Sequence, residues 1–215
     1  MKIRILTLFL FIFNSQFLFS QKKNTSNYVQ FYEDNKTKKI EGVLNEKGRN
    51  GIWKWYYRNG IVGQSGKYLN DKQEGIWKEF NENGKLTTLK TYKKGLVIGK
   101  STSYFDTGQL RSETEYKNGL KNGNSIVYYQ NGEIQEQTFF KNGKPVGNFI
   151  SFFENRNIGL TGQYNENGEK IGIWKFYRAD KSINQTIEYI SENEFIETNF
   201  DINGNIMEVK NTKNK

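Results

Sequence analysis

The side chains best equipped for chemistry in this chain are rings, carboxylates and amines. Trp53, Trp55, Tyr56 and Tyr57 fall almost side by side. Exposed together, they could stack on sugar rings, cap a partner's apolar anchor or sit at a lipid interface. Histidine and cysteine are both absent. That removes disulfides, thiolate nucleophiles, Cys/His zinc sites and every triad built on histidine. Glu113, Glu115, Glu133 and Glu136 remain as candidate acids. Paired acids can cleave glycosides, but only in a cleft and at a fixed separation. A solvated strand face and turns account for them better, so no catalytic residue, metal ligand or cofactor is expected.

The formal net charge is +9. It predicts solubility first and anionic partners second. Lys93, Lys94, Lys117, Lys121, Lys141 and Lys144 crowd the connecting turns and should line one rim. Such a rim protects sheet edges, and it can also meet anionic lipid or a wall polymer.

The elements that must carry these groups follow from a repeat. Tyr68, Tyr92, Tyr116, Phe140 and Tyr164 recur at a step of 24, and Tyr189 follows after 25. Gly51, Gly75, Gly99, Gly123 and Gly147 keep the same step, with Gly172 one residue late. A third column runs from Tyr32 through Tyr56 and Phe80 to Phe200, and a fourth from Val62 through Leu86 to Ile206. Helices are excluded, because glycine recurs too often and the apolar residues do not follow a 3.6 period. Each unit reads as a β-hairpin: a first strand such as Gly51–Tyr57, an Asn59-Gly60 turn and a second strand from Val62 to Tyr68. Asn-Gly between β-rich runs suggests a type I′ turn, with positive φ at both central residues. A longer return turn, such as 117–122, then leads to the next glycine.

The expected fold is all-β: an elongated, twisted antiparallel meander of about seven hairpins, about 65 Å long at two strands per repeat. Each unit leans on its neighbours, and aromatic columns stacked two strands apart take the place of a globular core. One ambiguity is intrinsic. The tryptophan and tyrosine columns of the first strand are three residues apart, so either both faces carry rings or each first strand contains a bulge.

The ends read differently. Lys2 and Arg4 precede an apolar run from Ile5 to Phe13, and small residues follow near Ser20-Gln21. This is the pattern of a secretory signal over residues 1–20. It implies export to the periplasm, the outer envelope or the medium. Residues 21–27 are expected as a disordered linker, 28–209 as the repeat array and 210–215 as a disordered tail.

The pattern Gly-x-Trp-x-x-Tyr/Phe-x-x-Asn-Gly-x-Leu, followed by Tyr-x-x-Gly, resembles the MORN repeat in its longer bacterial variant. The best matches are Gly51 to Gly75 and Gly75 to Gly99, and the resemblance spans about 28–209. It implies hairpin-built scaffolds that bind protein partners or associate with phospholipid. It also brings a label often given to such bacterial proteins, the antitoxin component of a toxin–antitoxin pair. The chain departs from the pattern in places. The tryptophan column reads Trp53, Trp77, Ser101, Ser125, Phe149 and Trp174, while Arg156 and Ala179-Asp180-Lys181 replace turn glycines. Those two turns should be looser or of another type.

The candidate partner surface is therefore Trp53, Trp55, Tyr57, Trp77 and Trp174, with Ser101 and Ser125 as a gap that could form a groove. Trp55 is singled out because no other unit has tryptophan at its slot. The expected function is a non-enzymatic exported scaffold that holds a protein partner at the cell envelope. The alternatives are a module for wall glycan or phospholipid and an antitoxin or immunity protein. Nucleic acid is not expected, and the oligomeric state is left open.

Overall fold

The computed structural model describes residues 25–191 and 193–213. The expected signal segment, residues 1–20, lies outside the described residues. The described chain forms a single antiparallel meander of sixteen strands in sequence order. They are β1 (Thr25–Phe31), β2 (Lys38–Asn45), β3 (Gly48–Tyr56), β4 (Val62–Leu69), β5 (Lys72–Phe80), β6 (Leu86–Lys93), β7 (Leu96–Tyr104), β8 (Leu110–Lys117), β9 (Leu120–Tyr128), β10 (Ile134–Lys141), β11 (Lys144–Phe152), β12 (Ile158–Tyr164), β13 (Lys170–Tyr177), β14 (Ile183–Ser191), β15 (Glu194–Phe200) and β16 (Ile206–Lys213). At the usual interstrand spacing the sheet is about 70–75 Å across.

The sheet extends beyond the expected array at both ends. β1 begins inside the expected 21–27 linker, and β16 runs into the expected 210–215 tail. Continuous ladders explain this, because each end strand pairs along its length with a neighbour that offers a full row of backbone groups.

The turns reverse the sequence expectation. At the β3–β4 connection Gly60 N donates to Tyr57 O at 2.9 Å and Tyr57 N donates to Ile61 O at 2.8 Å. Gly60 has φ +82°, whereas Asn59 stays outside the left-handed region. This is a type I turn closed by a left-handed residue, the longer hairpin loop. The type I′ turns are the return turns. Asn118 (φ 52°) and Gly119 (φ 85°) connect β8 and β9, directly flanked by the paired residues Lys117 and Leu120. What read as a long loop is two residues between strands that run up to it.

The glycine-poor turns are also not of another type. Arg156 (φ 67°) and Lys181 (φ 77°) take the left-handed position of the same turn, donating to Phe153 O at 2.9 Å and Arg178 O at 3.0 Å. The neighbouring hairpins hold these segments in the common shape despite the side-chain strain.

The ladders answer the question of faces: bulges occur at Gly51–Trp53 and at Gly63, and β3 itself alternates regularly from Trp53 to Tyr56. Between β4 and β5, Ser65 faces Lys78 while Lys67 faces Glu74, so Gly75, Ile76 and Trp77 together stand opposite Gly66. Gly75 has φ +70°, which lets the strand absorb the extra residues. The same shift recurs between β6 and β7 and between β8 and β9. Within the β3–β4 hairpin a second irregularity falls at Gly63, where Trp55 faces Gln64 and Tyr56 faces Val62. Both faces therefore carry rings. Trp53, Trp55 and Tyr68 share one face, the ring face. Tyr56 stands on the other, where its hydroxyl donates to Glu41.

Candidate binding surfaces

The tryptophan column packs inward. Trp53, Trp77 and Trp174 are buried, at 4, 3 and 2% exposure. Each indole occupies the space where the preceding strand has glycine: Trp53 over Gly42, Trp77 over Gly66 and Trp174 over Gly162. The Nε1 groups of Trp53 and Trp77 donate to Val43 O and Lys67 O at 3.2 and 3.1 Å. These three rings are thus not available for stacking on a ligand. A glycine eleven or twelve positions before each of these tryptophans is the sequence signal for this packing.

Most ring contacts run between columns and not along one. They alternate between columns, with Trp53 to Tyr68 at 6.1 Å, Tyr68 to Trp77 at 5.0 Å and Trp77 to Tyr92 at 5.9 Å, all edge to face. A second cluster joins Tyr164, Trp174 and Tyr189 at 5.0 and 6.4 Å. Phe149 stacks on Trp174 at 5.4 Å, one direct contact along the column. Burial pushes the phenols of Tyr68, Tyr92 and Tyr164 upward. Cations cap the clusters: Arg49 lies 4.0 Å from the Tyr68 ring and Lys170 lies 4.6 Å from the Trp174 ring.

The two clusters are joined by a polar row. Cross-strand partners run Trp77, Lys90, then Ser101, Thr114, Ser125, Thr138 and Phe149. Ser101 and Ser125 are both buried at 9% exposure, and Ser125 Oγ sits 2.9 Å from Thr114 Oγ1; Ser125 also borders a groove of about 250 Å³ with Ile126, Gln137 and Thr138. Where the preceding strand carries Lys90 or Thr114 in place of glycine, an indole has no room. The small residue is a packing complement.

Tyr57 is tied down as well: its hydroxyl donates to Phe80 O, on the next hairpin, at 2.8 Å. Tyr129 makes the same bond to Phe152 O at 2.8 Å. Trp55 is only half-buried. Its ring rests against Trp53, Tyr68 and Trp77 at 6.1, 6.2 and 5.7 Å. It borders a groove of about 430 Å³ that also takes in Tyr32, Tyr57, Gln64, Glu79 and Thr87. Gln64 and Glu79 were not among the expected site residues. They are adjacent to Trp55 only through cross-strand register, which has no signature in the sequence.

Gly51, Gly75, Gly99, Gly123, Gly147 and Gly172 all take positive φ. Tyr116 pairs with Lys121 and Phe140 with Pro145 at the start of the following strand.

The acids serve structure. Glu113 pairs with Lys100 at 3.1 Å and accepts from Tyr128, Glu115 accepts from Asn124 N at 2.9 Å, and Glu133 meets Arg156 at 2.6 Å. The most perturbed acid is Glu41. Hydrogen bonds from Lys38, Tyr56 and Lys54 hold it down to about 2. Desolvation and that same carboxylate push Tyr56 up to about 12. Among the described residues, no cluster of three or more acids has the arrangement to hold a metal.

The return turns form the basic rim. Gly95 N donates to Gln73 O at 2.9 Å, Gly119 N to Val97 O at 2.9 Å and Gly143 N to Lys121 O at 2.8 Å, so successive turns stack. Lys93, Lys117 and Lys141 then fall in line about 10 Å apart. Lys141 pairs with Glu166 at 2.6 Å, and Lys121 lies over the Phe140 ring at 4.6 Å. Between the lysines, Leu69, Leu96 and Leu120 are about half exposed, at 48, 48 and 51%.

The opposite face is open. Trp53, Tyr68, Trp77, Val146 and Trp174 are the buried apolar side chains among the described residues, while Ile52, Ile76 and Ile173 stand 57, 59 and 50% exposed. The ring face buries its own indoles, whereas the other face leaves these isoleucines to solvent.

A hairpin-repeat scaffold is the class this geometry defines. Four consecutive segments, residues 49–70, 73–94, 98–118 and 121–142, match the MORN repeat variant, so the central hairpins are MORN-variant repeats. Repeats of this kind are generally involved in binding protein or membrane lipid, and nothing here indicates enzymatic activity. No curated protein matches the chain significantly.

Proposed function

We propose that this protein is an exported, non-enzymatic scaffold that holds a partner protein at the cell envelope. The observation that supports it is the uncovered sheet face with Ile52, Ile76 and Ile173 about half or more exposed. Large apolar side chains repeated along one rigid surface favour a protein partner. Export rests on the signal-like segment, and the mature chain is expected to begin at Gln21. A photo-crosslinking residue at position 76, in cells that make the protein, tests the partner. The expected result is one discrete adduct, lost when Ile52 is changed to Lys. N-terminal sequencing of the mature chain tests export, and an intact Met1 would overturn it.

A second reading has its own support. The basic rim carries exposed leucines between its lysines, a combination suited to an anionic membrane surface. Vesicles containing phosphatidylglycerol should then sediment the protein, and Leu96→Ser with Leu120→Ser should release it.

A further inference from the structure

We propose that the groove beside Trp55 binds a neutral saccharide. It lies on the ring face, opposite Ile52 and Ile76, so it goes beyond the protein-partner reading and does not depend on it. Three aromatic walls meet there and are already fixed. Tyr32 OH donates to Tyr56 O at 2.6 Å, Tyr57 OH donates to Phe80 O at 2.8 Å, and Trp55 is held by the cluster behind it. Ring walls that need no ordering lower the cost of binding.

The polar groups are placed for hydroxyls. Trp55 faces Gln64, and Gln64 faces Glu79, so an indole, an amide and a carboxylate follow one another across three strands. The two polar groups hold each other loosely: Gln64 Nε2 is 3.5 Å from Glu79 Oε1, and Lys90 is 3.7 Å from the same oxygen. Both side chains line the groove. The row continues as Thr88, Ser103 and Ser112, with the two serine hydroxyls 2.7 Å apart.

A ring face flanked by planar polar side chains suits a pyranose, which offers apolar C–H on its faces and hydroxyls at its edge. A volume of about 430 Å³ lies in the range of small-ligand sites. The set occurs once. One repeat further along, the positions of Trp55, Tyr57 and Gln64 hold Glu79, Asn81 and Thr88. The ordinary repeat therefore does not call for this combination.

The test is titration of the intact chain with cellotriose, maltotriose and the N-acetylglucosamine trimer, followed by tryptophan emission and calorimetry. At least one trimer should give a saturable blue shift. Trp55→Ala should abolish it, and Glu79→Gln and Gln64→Ala should each weaken binding about tenfold, equivalent to about 1.4 kcal/mol. If Trp55→Ala does not fold by circular dichroism, the two polar variants decide. No saturable binding of any trimer overturns the proposal. So does binding that the folded variants leave unchanged, or a shift produced by tetramethylammonium but by none of the sugars.

Discussion

The indole of Trp77 fills the space that a side chain on Gly66 would need, and its Nε1 donates to Lys67 O at 3.1 Å. The pair is a lock between hairpins: the bulge after Gly75 carries the ring over the preceding strand, and the missing Cβ admits it. Gly66→Ala should cost about 1–3 kcal/mol through overpacking. Trp77→Ser should cost about 3–5 kcal/mol through the lost ring. The double change Gly66→Thr with Trp77→Ser recreates the Thr114–Ser125 pair and should cost less than the sum of its single changes. Urea unfolding of the parent, Gly66→Thr, Trp77→Ser and the double variant measures that coupling.

Lys181 occupies a left-handed position that other turns give to glycine. Lys181→Gly should stabilise the protein by about 1 kcal/mol, because a Cβ is disfavoured at that φ. Gly84→Ala, at the same place in another hairpin, should destabilise it by a similar amount. Thermal midpoints of both variants check the pair.

The Glu41 cluster predicts a pH dependence. The folded carboxylate sits at about 2 against an ordinary 4.5. Its contribution is therefore complete above 4.5 and is lost as pH falls toward 2. For Tyr56 the folded value is about 12 against 10, so its contribution is complete below 10 and is lost as pH rises toward 12. Glu41→Gln should flatten the acid limb of a stability-versus-pH curve, by no more than about 1 kcal/mol for a partly exposed pair. Denaturant midpoints at pH 2.5, 4.5 and 7 would show it.

The polar row predicts uneven stability along the sheet. β8 and β9 meet through Thr114 and Ser125, whereas β4 and β5 meet beneath Tyr68 and Trp77. In an array whose units lean only on neighbours, the weakest junction opens first. Backbone amides of β8 and β9 should exchange with deuterium faster than those of β4 and β5. Equal protection would count against this reading of the middle hairpins.

Strand identity, hairpin order and the all-β class were legible in the sequence because they are local. A period of 24, alternating rings and glycines at fixed offsets constrain φ and ψ residue by residue, and consecutive hairpins have only their neighbours to pair with. Turn type was not legible from Asn-Gly alone. The same dipeptide serves the type I loop at Asn59-Gly60 and the type I′ turn at Asn118-Gly119, and strand length and register choose between them.

Which side chains share a face was decided only in three dimensions. Trp53 and Tyr56, three residues apart on a regular stretch of β3, part company, while the register with β4 and β5 brings Trp55 beside Gln64 and Glu79. Burial of Trp53, Trp77 and Trp174 likewise depended on the residue across the strand. The sequence by itself supplied the rings and their period. Register between strands, a property of paired backbones and not of any segment, determined which rings became core and which were left to face a partner.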